Sequence, residues 1–236
     1  MTEVTHVVLF DIDGTLIHSA RAGLRGMNAA FQALHGVWGA LDHVTLAGRT
    51  DRAIVTDVLN GLGLEPTDDA VFTLREAYLT HLAAEMSRPI PGAVMLPGVE
   101  AVLDALAPRK DTATGLLTGN FARGAEIKLG YFGLWSRFSF GAFGDAHVNR
   151  RDLVPVARAH VDQRRTVPVP ASRVIVIGDT PLDVDCARAH GARSIAVATG
   201  PFSVADLTDA GADLVLETLE DVDRVIAFVE AGAPGL

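Results

Sequence analysis

At 236 residues the chain is long enough to bury a sizeable core, as one large domain or as a core with a modest insert. Its 20 basic residues stand against 29 acidic ones, and the formal charge of −9 excludes a basic stripe for nucleic acid, so an anionic ligand must be met by local charge. Cys186 is the only cysteine, which excludes an intramolecular disulfide and points to a reducing cytoplasm.

The start Met1-Thr2-Glu3 lacks a basic region and the apolar run 4–10 is too short to span a bilayer, so neither a signal peptide nor a membrane anchor is expected. Val7-Val8-Leu9-Phe10 predicts a buried strand, with Asp11-Ile12-Asp13-Gly14-Thr15 at its carboxyl end. Side chains alternate along an extended strand, so Asp11 and Asp13 would share a face with Ile12 turned away, and Gly14 lets the backbone turn sharply. Carboxylates this close repel unless a cation or proton intervenes, and a hard Mg²⁺ ion with oxygen ligands suits them; a strand end with a plain Asp-Gly turn has the same letters.

From about Leu16 to Arg88 the pattern is helical, with helices predicted over 19–35, 51–59 and 67–86, the last capped by Thr67 and carrying Asp68-Asp69 at its positive end. Ala47-Gly48-Arg49-Thr50-Asp51 is a polar cluster there, in which Arg49 suits an anionic ligand, while Thr50 and Asp51 suit ligand contact or a helix cap equally. His18 and Arg21 lie just beyond the first acidic pair. Pro89-Ile90-Pro91-Gly92 marks a return linker, and Pro97-Gly98 the start of a further helix.

A strand over 112–117 runs into Thr118-Gly119-Asn120, where a hydroxyl and a close backbone N–H can meet a phosphoryl oxygen, or form only a turn. The short apolar segment 138–143 precedes Gly144-Asp145 and the pair Arg150-Arg151, whose guanidinium groups can bind phosphate as a fork or lie solvated at a helix start. After the stiff loop Val167-Pro168-Val169-Pro170, residues 173–177 predict a second buried strand, followed by Gly178-Asp179-Thr180-Pro181-Leu182-Asp183 and an amphipathic helix that ends near Gly191. Cys186 falls on that helix and suits packing. Strands alternating with helices imply a parallel sheet, whose carboxyl ends share one edge, so two acidic turns distant in sequence can meet at one metal.

Asp11-x-Asp13-Gly14-Thr15, Thr118-Gly119, a basic residue near 150 and Gly178-Asp179-x-x-x-Asp183 resemble, in order, the four motifs of the haloacid dehalogenase-like hydrolase superfamily. The resemblance implies an α/β fold: a Rossmann-like parallel-sheet core of residues 1–15 and 89–236, with an α-helical cap of residues 16–88 inserted as in the phosphoglycolate phosphatase-like branch. It implies a Mg²⁺-dependent phosphatase that hydrolyses a small phosphomonoester through an aspartyl-phosphate. Asp11 would be the nucleophile and Asp13 the general acid/base, with Thr118 and Arg150 holding the phosphoryl group. Gly119, Asn120 and, from the cap, Arg49, Thr50 and His18 would contact substrate. Asp11, the backbone carbonyl of Asp13 and Asp179 would bind Mg²⁺, with Asp183 behind them or acting through water.

Many phosphatases of this superfamily carry Lys-Pro at the third motif, where this chain reads Asn149-Arg150-Arg151-Asp152-Leu153-Val154-Pro155. Counting back from Pro155 favours Arg150 and counting forward from Gly144-Asp145 favours Arg151; Arg150 is preferred because it is similar to an Arg-containing version in some subfamilies. An Asp two places after the nucleophile resembles the phosphotransferases, whereas dehalogenases usually carry an aromatic there. The expected partner is a small phosphorylated metabolite, with no nucleic acid or membrane, for a monomer or homodimer in the cytoplasm. The alternatives are a phosphosugar mutase of the same fold and a catalytically silent binding protein.

Overall fold

The structure is a computed structural model that describes residues 4–163 and 167–231. Met1-Thr2-Glu3, on which the signal-peptide expectation rests, lies outside the described residues. In chain order the elements are β1 (His6–Phe10), β2 (Ile17–His18), α1 (Ala22–His35), α2 (Asp51–Gly61), α3 (Asp68–Glu85), β3 (Val94–Met95), α4 (Val99–Leu106), β4 (Thr112–Leu117) and α5 (Ala122–Tyr131). Next come β5 (Gly141–Ala142), α6 (Leu153–Asp162), β6 (Val174–Gly178), α7 (Pro181–Arg188), β7 (Arg193–Val197), α8 (Val204–Asp209), β8 (Leu214–Leu216) and α9 (Val222–Glu230).

Six strands form one parallel sheet in the order β5-β4-β1-β6-β7-β8. Every residue of β1 is buried because helices cover both faces. Val8 and Phe10 face α4 and α9 together with Ile175 and Ile177, whereas Val7 and Leu9 face α6 and α7 together with Val174 and Val176. Register then decides where chemistry can sit. Phe10 pairs with both Leu116 and Ile177, so Asp11, Thr118 and Asp179 leave the sheet at one edge.

The three helices between β2 and β3 bury a separate apolar cluster that includes Phe31, Ile54, Leu74, Tyr78 and Leu82, and Phe121 of the core reaches into it. An antiparallel ribbon of Ile17–His18 with Val94–Met95 brackets this insert. The caps act locally: Thr67 Oγ1 accepts from Ala70 N at 3.2 Å, and Thr50 Oγ1 accepts from Ala53 N at 3.1 Å.

Two boundaries differ from the sequence reading for a local backbone reason. The helix predicted from Ser19 starts at Ala22, because Ala20 and Arg21 take left-handed φ angles of 48° and 64°. The strand predicted from Arg173 starts at Val174, since Ala171–Arg173 closes a 3-10 turn first. The apolar segment 138–143 yields only Gly141–Ala142 as strand, at the end of the sheet. Among the described residues, no helix is long and apolar enough to cross a membrane.

Candidate active site

β1 stops at Phe10, and the chain then enters a tight turn instead of continuing as strand. The Ile12 carbonyl accepts from the N–H groups of Thr15, Leu16 and Ile17 at 3.3, 2.9 and 3.1 Å. Although the strand ends before them, Asp11 and Asp13 both line one cavity while Ile12 is turned into the core with Val8 and Phe10, the arrangement expected from alternation. Gly14, at φ 80°, makes this possible, for a Cβ there would overlap the Asp179 carboxylate, as would one at Gly200. The backbone thus closes around Asp179, whose Oδ1 accepts from Thr15 Oγ1 at 3.2 Å.

Carboxylate oxygens of Asp11, Asp179 and Asp183, all buried, lie within 4.8 Å of one another. The only cation paired with this cluster, among the described residues, is Arg150, whose Nη2 is 3.1 Å from Asp11 Oδ1 and 2.6 Å from Asp183 Oδ1. Asp183 is further fixed by Thr180, whose N–H and hydroxyl donate to its Oδ2 at 3.1 and 2.8 Å. Burial, then the charges of Asp11 and Asp183, push Asp179 far above the usual carboxylate range. Burial raises Asp11 as well, with Arg150 opposing it. Three carboxylates against one guanidinium leave a demand for positive charge, and an all-oxygen donor set under that demand fits a divalent cation.

Asp13 faces the cavity at the sheet edge, where 42% of its side chain is accessible, and its oxygens have unlike surroundings. Oδ2 accepts from Lys128 Nζ at 2.6 Å and Asn120 Nδ2 at 2.9 Å, and Oδ1 from Ser19 Oγ at 3.4 Å. Loss of bulk water would raise its pKa, but Lys128, Asn120 and Ser19 outweigh that and hold it below the usual range. Lys128, on α5, is absent from the motif reading. The one signal for it is compositional: lysine occurs only at 110 and 128, and Lys128 stands between Ile127 and Leu129.

Thr118 is fully buried, and its Oγ1 accepts from Asn120 Nδ2 at 2.8 Å. Asn120 Oδ1 accepts from Lys128 Nζ at 2.6 Å, so both ends of this amide, expected on substrate, are engaged by protein. Of the basic pair, Arg150 enters the site, while exposed Arg151 turns to Asp185 with contacts of 2.6 and 2.8 Å. The reason is local: the 3-10 turn Arg150–Asp152 sends successive side chains in different directions. Cys186 Sγ donates to the Arg150 carbonyl at 3.1 Å, a buried packing role.

The insert sits on this edge through residues 48–51. Asp51 N donates to the Gly119 carbonyl at 2.7 Å, and a Cβ on Gly119 would overlap the Arg49 carbonyl oxygen. Thr50 is fully buried as the α2 cap and donates to the Val148 carbonyl at 3.1 Å, so it does not line the cavity. Asp51 Oδ2 accepts from Phe121 N at 2.9 Å, and its pKa is pushed up to about 6 by burial, with Lys128 opposing. Arg49 lines the cavity but holds Asp57 at 2.6 Å. His18 and Arg21 line it from the ribbon side; His18 Nδ1 accepts from Ala20 N at 3.3 Å. The cavity measures about 610 Å³, with Asp11, Asp13, Lys128 and Arg150 on the core side and Leu24, Met27, Leu41, Leu46, Ile54 and Tyr78 on the other.

Residues 8–197 match the family described as haloacid dehalogenase-like hydrolase. The chain belongs to that family. The hydrolase is similar to phosphoglycolate phosphatases of Rhodospirillum rubrum, 28% identical over 97% of this chain and 94% of that one, and of Synechococcus elongatus, 28% identical over 93% and 96%. In fold it is similar to CbbY from Rhodobacter sphaeroides in complex with phosphate, with a TM-score of 0.70 at 20% identity over 93% of this chain and 96% of that one. A hydrolase from Pseudomonas syringae aligns with a TM-score of 0.68 at 21% identity over 94% and 97%. Family and relatives together place the chain in the phosphoglycolate phosphatase-like branch as a phosphohydrolase.

Proposed function

We propose that this hydrolase is a Mg²⁺-dependent phosphatase of a small phosphomonoester, acting through an aspartyl-phosphate on Asp11. Its core is residues 1–15 and 89–236, and residues 16–88 form a cap over the cavity. The observation that carries this reading is the meeting, at one sheet edge, of an arginine-held carboxylate at Asp11 with a lysine-held carboxylate at Asp13. In the first half-reaction an Asp11 oxygen bonds to phosphorus while the ester P–O bond breaks. The electron pair stays on the leaving oxygen, and Asp13, which must enter this step protonated on Oδ1 against the pull of Lys128, gives it that proton. In the second, water attacks the same phosphorus, Asp13 takes its proton, and phosphate departs to restore Asp11.

Thr118 and Arg150 hold the phosphoryl oxygens, with Arg150 Nε, buried without a hydrogen-bond partner, as a free donor. Asp11, the backbone carbonyl of Asp13 and Asp179 would hold Mg²⁺, with Asp183 behind, and the bound ion supplies positive charge against that of the substrate. The relatives' names make 2-phosphoglycolate the first substrate to try, and the reducing cytoplasm is the proposed compartment.

The test is phosphate release from a panel of 2-phosphoglycolate, sugar phosphates and phenyl phosphate, with Mg²⁺ and after chelation. Release that depends on Mg²⁺ is the expected result. Isomerised sugar phosphate without release would indicate a mutase, and binding without turnover a silent protein.

A further inference from the structure

Lys128 lies outside all four motifs, yet it is 5% exposed and belongs to a short-bonded polar cluster facing the cavity. Its Nζ donates to Asp13 Oδ2 and to Asn120 Oδ1, each at 2.6 Å. An ammonium can only donate, so it settles which end of the Asn120 amide is oxygen; Nδ2 is then left to donate to Asp13 Oδ2 at 2.9 Å and to Thr118 Oγ1 at 2.8 Å. The result is a closed triangle of lysine, amide and carboxylate, tied to the hydroxyl of the second motif.

That triangle makes the two oxygens of Asp13 unequal. Oδ2 has two short bonds, whereas Oδ1 has only the Ser19 hydroxyl at 3.4 Å, long for an O–H···O bond. The terminal torsion of an aspartate is broad and nearly two-fold, so without a grip either oxygen can turn to the cavity. We propose that Lys128 is a positioning residue for the proton transfers: it pins Asp13 by Oδ2, so that Oδ1 meets the leaving oxygen first and the attacking water second.

This rests on the reading of Asp13 as the proton-transfer group. Gly23 of α1 lies against the ammonium: a Cβ there would stand 3.1 Å from Nζ.

The experiment is a double-mutant cycle of Lys128→Met and Asp13→Asn, read as single-turnover release of the alcohol from two esters with Mg²⁺ present. Phenyl phosphate needs its leaving oxygen protonated; 2,4-dinitrophenyl phosphate does not. Lys128→Met is expected to slow phenol release by about 10- to 100-fold, part of the roughly 10²–10⁴ that acid/base catalysis contributes, and dinitrophenol release by about threefold or less, with KM for both unchanged. In the Asp13→Asn background it is expected to add less than about twofold. Each single variant strands one charge of the pair, so the fold of each is checked by its unfolding curve beside that of the double variant, which removes both charges. Should Lys128→Met not fold, Lys128→Gln is judged by the same ratio of the two esters.

Equal loss on both esters, or full additivity with Asp13→Asn, would overturn the role of Lys128 while leaving the phosphatase reading intact. An Asp13→Asn enzyme as fast as wild type, or a wild type that cleaves neither ester, would overturn both.

Discussion

Arg150 and Arg49 line the same cavity, one from the core and one from the insert, and they are held in opposite ways. The Arg150 side chain is 6% exposed and its partners Asp11 and Asp183 are 7% and 2% exposed, whereas Arg49 leans on Asp57, whose side chain is 53% exposed. Breaking a buried pair strands a charge and costs about 3–5 kcal/mol, while a surface pair is worth about 0–1 kcal/mol and yields easily. The rest of the cavity wall shows the same division, polar at the sheet edge and mostly apolar on the insert. On the proposed function, the core presents a fixed constellation for chemistry, and the insert presents shape plus the adjustable charges of Arg49 and Arg21 for recognition. Substitutions on either side can break that division separately.

The largest effect is expected at Asp11. Asp11→Asn should bring phosphate release to background, because an amide cannot form the aspartyl-phosphate; retained turnover would refute the covalent route. Next comes the arginine pair. Arg150→Ala should destabilise by about 3–5 kcal/mol in denaturant unfolding by leaving Asp11 and Asp183 unpaired, and should remove most turnover. Exposed Arg151→Ala should stay within about 0.5 kcal/mol and keep its activity. The reverse order would move the third motif by one residue.

A smaller effect tests the cation demand without using turnover. Asp179 is raised by burial and by two neighbouring carboxylates, so a divalent ion that binds only the folded state should increase Tm with its concentration. Asp179→Asn should raise the metal-free Tm while flattening the Mg²⁺ response, a gain in stability at the expense of function. An unchanged Mg²⁺ response in Asp179→Asn would remove it from the ligand set.

What was legible in the sequence was what local rules and strand ends govern. Val7 to Phe10 and residues 174–177 are apolar without alternation, so parallel buried strands are expected there, and parallel strands carry Asp11 and Asp179 to one edge. Thr67 shows its helix start by cap chemistry. The choice between Arg150 and Arg151 was not legible, because both counts fit and only the 3-10 turn separates them. Lys128 was invisible to spacing, since its carboxylate lies 115 residues away and helix periodicity treats it as one polar interruption. The left-handed pair Ala20 and Arg21 was equally hidden, as neither residue favours positive φ and tertiary contacts must impose it.

The smallest effect is expected from the adjustable charges. From sequence alone Arg49→Ala would cost ten- to a hundredfold on a substrate with an anionic leaving group. In the structure Arg49 already contacts Asp57 at 2.6 Å and the Thr45 carbonyl at 3.4 Å, so a ligand competes with those partners and gains only the difference. Arg49→Ala should then raise KM for 2-phosphoglycolate by about threefold to fivefold, on the order of 1 kcal/mol, and leave phenyl phosphate unchanged. The Arg21 side chain has no hydrogen bond or ion pair among the described residues, and Arg21 lines the same cavity at a strained φ of 64°. If the leaving group is anionic, Arg21→Ala should exceed Arg49→Ala in the ratio of the two substrates. Equal ratios for both variants would mean that neither side chain reads the leaving group, and that the insert selects by the apolar wall of Leu24, Met27, Leu46 and Ile54 alone.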